Sequence, residues 1–268
     1  MEENTSVDPI SQLSLSAEHL KDTLLNPAPI WEIGPVAITP YNLFMVIGLL
    51  VTILVVILVG KKLTLVPKNK FTHMVEYGYQ FVRDDMCAGV IGSGYKKHVP
   101  LFASMFFFIL ICNIIGLLPG SKTATGSISC TWALAIISFV YFNYLGIKTL
   151  GGWTYIKSFM PEGMKGLMGL FLWFLEFVSM VLRLLTLAVR LFGNMFAGHM
   201  LLGIFALATS IFLGTAFSTS DFIIGLPAIG WIALLVFIYA LETLVAFLQA
   251  YVFTVLSTSY VQMATSEH

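Results

Sequence analysis

Five apolar runs of membrane-spanning length, at about 40–60, 99–118, 130–147, 166–213 and 223–262, constrain this chain more than any other feature. Roughly 20 apolar residues carry a helix across the bilayer hydrocarbon, so the expected fold class is an all-α integral membrane protein with about five membrane-embedded helices. The fourth run would measure about 70 Å as one helix, against about 30 Å of hydrocarbon. It must tilt steeply, break or cross twice, with Gly203 and the Thr209-Ser210 pair marking places where it could bend.

Composition agrees. Hydrophobic residues make up 58% of the 268 positions and charged residues 10%, where a soluble domain carries about a quarter charged. Mean hydropathy is +0.90. The net charge of zero identifies no partner, but its distribution predicts an orientation. Ten of the fourteen basic residues lie in two connections: Lys61, Lys62, Lys68, Lys70, Arg83, Lys96 and Lys97 in the first, Lys148, Lys157 and Lys165 in the second. Both connections are expected to face the cytoplasm. The first 38 residues hold six acids and one base, Lys21, and the loop near 119–129 holds only Lys122, so these belong outside. Crossing parity then puts the C-terminus inside.

The start lacks a basic n-region and an apolar h-region, so no cleavable signal is expected. Residues 1–38 read as a polar, proline-punctuated extracytoplasmic segment with a short helix near Leu13–Leu25, and 39–268 as a single membrane domain. Between the first two spans, Phe71, Met74, Val75, Gly78, Phe81, Val82 and Met86 recur at helical spacing opposite His73, Glu76, Gln80, Arg83 and Asp84. That predicts an amphipathic interfacial helix over about 71–90. Spans two and three form a hairpin turned by Leu117-Leu-Pro-Gly120. Cys87, Cys112 and Cys130 have neither metal-ligand spacing nor an even count, and no metal site or disulfide framework is expected.

Function is written in the polar residues inside the apolar runs. Arg190 stands in Leu187-Ala-Val-Arg-Leu-Phe-Gly-Asn-Met-Phe-Ala-Gly-His199. A guanidinium at bilayer depth costs a few kcal/mol and cannot escape by deprotonating, so it reads as functional. At 100° per residue Glu176, Arg183, Arg190 and Asn194 fall within about 40° of one another, a stripe about 27 Å long that could line an aqueous route. His199 points elsewhere, about 140° from Glu176. The last run carries Glu242, Gln249 and Tyr260 within about 20° on an otherwise apolar helix. Bland alternatives stand beside these: Asn194, Gln249 and Thr186 can simply hydrogen-bond to neighbouring helices, Arg183 can neutralise Glu176 or snorkel, and Asn113 can serve the turn that follows it.

The segment Arg190-Leu-Phe-Gly-Asn-Met-Phe-Ala-Gly-His199 resembles the signature of the subunit a family of the F-type ATP synthase. Leu241-Glu-Thr-Leu-Val-Ala-Phe-Leu-Gln-Ala-Tyr-Val-Phe253 is similar to that family's final helix, and Asn113-Ile-Ile-Gly-Leu-Leu-Pro119 to a third motif. The resemblance covers roughly Lys61 to the C-terminus. It implies a stator that lays two long, steeply tilted helices against a ring of c subunits, each with a membrane-embedded carboxylate, and two offset proton half-channels. Arg190 would face the ring carboxylates and separate the half-channels, with Asn194 and Gln249 as polar neighbours. His199 and Glu242 would line the outer channel, in the order His then Glu where some members have the reverse, and Glu176 the inner one. Asn113 and Arg183 are possible further members, although Arg183 and Gly116 fall where other members differ.

The resemblance also implies partners: the c-ring, the subunit b peripheral stalk, the remaining ATP synthase subunits and membrane lipid, with no nucleic acid and no cofactor. It implies a bacterial inner or plasma membrane setting. No nucleotide chemistry is read in this chain. An alternative is an autonomous secondary transporter binding an anionic substrate at Arg190, but duplicated halves and paired broken helices are lacking. A haem subunit would need axial ligands in the membrane, and of the five histidines only His199 lies within a span.

Overall fold

The computed structural model describes residues 9–25, 27, 29, 31–33, 36–61, 70–92, 94–118, 120–158, 167–219 and 222–265. Helix α1 (Pro9–Leu25) is followed by a small antiparallel hairpin of β1 (Trp31–Ile33) and β2 (Val36–Ile38), with Trp31 opposite Ile38. The sequence predicts a short helix in this lead, which α1 supplies, and the structure adds the hairpin. The hairpin reflects two short runs, Trp-Glu-Ile and Val-Ala-Ile, on either side of a Gly-Pro pair.

Helix α2 (Pro40–Lys61) is apolar all round, and Leu43, Val46, Leu50, Leu54 and Ile57 are exposed along it. Such a surface suits lipid, since a helix satisfies its own backbone groups there. Helix α3 (Lys70–Phe81) runs through a π segment (Val82–Ala88) into α4 (Gly89–Ile91), close to the expected amphipathic helix. Its second half does more than lie on an interface. Phe81 stacks on Tyr251 at 5.7 Å, while Val82, Met86 and Cys87 are fully buried and Arg83 pairs with Asp84 at 2.7 Å on the exposed side.

Helices α5 (Val99–Gly116) and α6 (Ile128–Leu150) are the two arms of the expected hairpin, but each packs on α9 rather than along the other, and they meet where His98 and Phe102 touch Tyr141. Between them the chain re-enters the bundle as a buried turn, Ala124–Gly126. Gly151, at φ +82°, ends α6 in a conformation that favours glycine, its N–H returning to the Ile147 carbonyl at 3.0 Å. Helix α7 (Gly152–Ser158) follows. Pro119 of the expected turn, Gly166 at the expected start of the fourth run, and Lys62, Lys68 and Lys165 of the basic connections lie outside the described residues.

The fourth run is one unbroken helix, α8 (Leu167–Thr219), and the fifth is α9 (Phe222–Thr265). An unbroken helix cannot cross twice. The apolar stretch Leu167–Gly214 stays within about 30 Å of hydrocarbon only if tilted about 65° from the normal. Small residues let these two helices pack closely: Ala188, Gly198, Ala246 and Ala250 are buried. The core joins Phe102, Phe106 and Ile109 of α5 to Met86, to Ala135 and Phe142 of α6, to Leu187 and Leu191 of α8 and to Phe253 of α9.

Candidate functional site: an outward-facing arginine between two polar clusters

Helix α8 divides its residues cleanly. Leu187, Ala188, Leu191, Met195, Gly198 and Leu202 are buried, whereas Thr186, Arg190, Asn194, Ala197 and Leu201, which recur at intervals of three and four, are exposed. Arg190 therefore stands on an outward face between apolar neighbours. Among the described residues its guanidinium has neither an ion pair nor a hydrogen bond. One turn away, Asn194 donates to Gln249 Oε1 at 2.8 Å, which joins the polar stripes of α8 and α9 beside the arginine. Gln249 itself is buried.

About 13 Å along α8 toward its C-terminal end lies the first polar cluster. His199 Nε2 hydrogen-bonds to the hydroxyl of Thr123, which the re-entrant loop delivers to the core. Gly116 makes room for it, since a Cβ there would overlap Thr123 Oγ1. Lys122 lies within electrostatic reach of His199, and burial lowers its ammonium below the usual lysine range. The Glu242 side chain enters from α9, and its carboxylate lies so close over Gly198 that a Cβ there would overlap it. The His199 and Glu242 side chains thus meet at the same turn of α8, one from within it and one from α9, but each has its own contact: Thr123 for the imidazole, the bare Gly198 backbone for the carboxylate.

Asn113 completes this region and is fully buried. Its Nδ2 donates to the Ala246 carbonyl at 3.2 Å and its Oδ1 accepts from Thr125 at 2.6 Å. Ala246 is one turn from Glu242 on α9. Asn113 therefore does not merely serve the turn after it; it fastens α5 and the re-entrant loop to α9.

The second cluster lies about 21 Å from Arg190 in the other direction, at Glu176. Arg183 pairs with Glu176 at 3.1 Å, and its guanidinium sits 5.7 Å from the centre of the Tyr260 ring of α9. Tyr155 of α7 lies near the same pair, seated in a notch at Gly146 and donating its hydroxyl to Asn143 Oδ1 at 3.0 Å. Between the two clusters Ser138 of α6 donates to Ser257 of α9 at 2.8 Å, fully inside the bundle.

The stripe read from the sequence therefore resolves into three states: Glu176 and Arg183 neutralise one another, Asn194 is tied to α9, and Arg190 is left facing outward. Sequence reasoning missed Thr123, Thr125 and Tyr155 as members of these clusters, and Ser138 and Ser257 as the polar contact between them. The available signal was the pair of glycines, Gly116 and Gly198, and the Ser-Lys-Thr-Ala-Thr-Gly-Ser run after the turn. No group of His, Cys, Asp and Glu that could hold a metal ion occurs among the described residues.

Comparison with known proteins places the chain in a family. The sequence model of the family described as "ATP synthase A chain" matches residues 42–262. The chain is 35% identical to ATP synthase subunit a of Chloroherpeton thalassium over 88% of its length and 69% of the relative's. It is 34% identical to the subunit a of Pelagibacter ubique over 91% of this chain and 98% of that one. To the subunit a of Bradyrhizobium diazoefficiens it is 33% identical over 96% and 97% respectively. With five long apolar helices, an arginine exposed between two polar clusters and matches of this extent, the chain belongs to the ATP synthase subunit a family, a multi-pass membrane protein of proton transport and ATP synthesis.

Proposed function

We infer that this chain provides two offset proton half-channels and the arginine that couples proton flow to rotation of a ring of c subunits. The observation that carries this reading is Arg190, an exposed membrane cation without a partner among the described residues. An isolated charge at the bilayer centre costs about 2.5–3.5 kcal/mol on insertion scales, so the face that bears it calls for an opposite charge from another chain. A ring carboxylate supplies it. Beside Arg190 the carboxylate is favoured as the anion; carried into lipid it must be neutral, so protonation gates its movement.

The Thr123, His199 and Glu242 cluster serves as the outer half-channel and the Glu176 cluster as the inner one. They lie on opposite sides of Arg190 along α8, so a proton cannot pass directly between them without meeting a fixed positive charge. It travels instead with the ring. Each charge moved across the membrane contributes about 2.3 kcal/mol per 100 mV, so several are needed for each ATP. The basic connections around Arg83 and Lys148 face the cytoplasm, the N-terminal segment lies outside and the C-terminus inside, in a bacterial inner or plasma membrane. The subunit b peripheral stalk holds the chain against the torque of the ring.

Affinity purification of the tagged chain tests this reading. A ladder of small ring-forming subunits with the nucleotide-binding alpha and beta subunits is expected. Recovery of a lone chain that transports an anion after reconstitution would overturn it.

A further inference from the structure

Helix α1 is a packed element to which the reading above gives no work. It is amphipathic: Leu13, Ser16, Ala17, Leu20 and Leu24 are half-buried or buried, while Glu18, His19, Lys21 and Asp22 are exposed. Its packed side meets α8. Leu20 fits over Gly203 so closely that a Cβ at 203 would overlap its methyl groups. Gly203 is one turn beyond His199 and about 40° around the helix from it, so Leu20 sits directly above the imidazole's side of α8.

The other end of α1 is tied to the partner of that imidazole. The Leu24 carbonyl accepts a hydrogen bond from the buried Tyr41 hydroxyl at 3.1 Å. The Tyr41 ring lies 3.5 Å from where a Cβ at Gly126 would stand, and the Gly126 N–H donates to the Thr123 carbonyl at 2.9 Å. Through Leu20, α1 bears on the helix that carries His199. Through Tyr41 it bears on the turn that carries Thr123.

We propose that α1 is the outer cover of the His199–Thr123 site, with Leu20 and Tyr41 as positioning residues that hold the two groups together and exclude bulk solvent from above. The proposal rests on the reading of that cluster as the outer half-channel. A proton reaching His199 then passes along the flank of α1, beside Lys122 and Thr123, rather than through open solvent.

The test uses His199 as its own reporter. In the assembled complex in membranes, the rate of carbethoxylation of His199 by diethylpyrocarbonate is read by peptide mass spectrometry for the parent, Leu20→Ala and Tyr41→Phe. Each variant is expected to raise the His199 rate about two- to ten-fold, the opening that loss of one hydrogen bond or an equivalent contact allows. His98, whose Nδ1 pairs with the Tyr141 hydroxyl at 2.7 Å at the far end of α5, is expected to keep its rate. A His199 rate equal to the parent's, or an equal rise at His98 that signals general loosening, overturns the proposal. Because the readout needs no ion coupling, its failure leaves the role of Arg190 untouched. Failure of that role appears separately, as pumping by an Arg190 variant.

Discussion

Gly198→Ala adds a single methyl group to the middle of α8, and the structure says where it goes. The new Cβ falls on the Glu242 carboxylate, which must retreat by about 1 Å or more to restore van der Waals contact. Overpacking of this kind costs typically 1–3 kcal/mol, while alanine in place of a helical glycine returns about 1 kcal/mol, so the fold loses at most about 2 kcal/mol and the complex assembles. Function is more sensitive. A displacement of about 1 Å in a group that hands on a proton can cost about a hundred-fold, and a fall of at least ten-fold in proton uptake is expected. The assay is potential-driven proton flux into liposomes holding the complete complex. Gly214→Ala on the same helix is the matched control: its Cβ meets nothing within 4 Å among the described residues, so the flux stays at the parent level. Shortening the acid by one methylene in Gly198→Ala/Glu242→Asp should recover part of the loss. Parent-level flux in Gly198→Ala would refute the placement of Glu242 against this glycine as a working part of the proton route.

Three further outcomes follow from the geometry. Thr123→Val, which keeps shape and removes the hydroxyl, should slow proton uptake about two- to ten-fold, the worth of one hydrogen bond, and leave assembly intact; unchanged flux measured under the same potential counts against Thr123. His199→Ala and Glu242→Ala should each slow uptake without abolishing it, and the exchanged pair His199→Glu/Glu242→His should work better than either exchange alone. A double-mutant cycle on flux that shows simple additivity would separate the two residues. Cysteines at 194 and 201, on the exposed face with Arg190, should cross-link to cysteines on the carboxylate-bearing helix of the ring, whereas one at 199, turned toward Thr123, should do so poorly; uniform yields around the helix contradict the face.

The long elements were legible because bilayer thickness and helix rise set them. Apolar run length gave the five helices. Arg190 was legible because a fixed charge in apolar sequence has few bland explanations. What could not be read was how the polar stripe would divide. Spacing put Glu176, Arg183, Arg190 and Asn194 on one side of one helix, but whether each finds a partner depends on other elements: Tyr260 and Gln249 of α9, and Tyr155 of α7. The re-entrant loop was opaque for a related reason. Thr123 and Thr125 carry no periodicity and no charge, and they become members of the site only because Gly116 and Asn113 on α5 receive them. The tilt of α8 followed from length only once the helix was known to be unbroken; Gly203, a candidate for a bend, turned out to be the seat of Leu20.

The central claim is that Arg190 is a fixed charge awaiting a carboxylate from another chain. ATP-driven proton pumping into inverted vesicles, measured for Arg190→Ala with assembly checked by the recovery of ring and stalk subunits, tests it most directly. No pumping in a fully assembled complex is predicted, with Arg190→Lys also failing largely because an ammonium is compact, more strongly hydrated and able to lose its proton when desolvated. Pumping by Arg190→Ala at the parent rate would contradict the account.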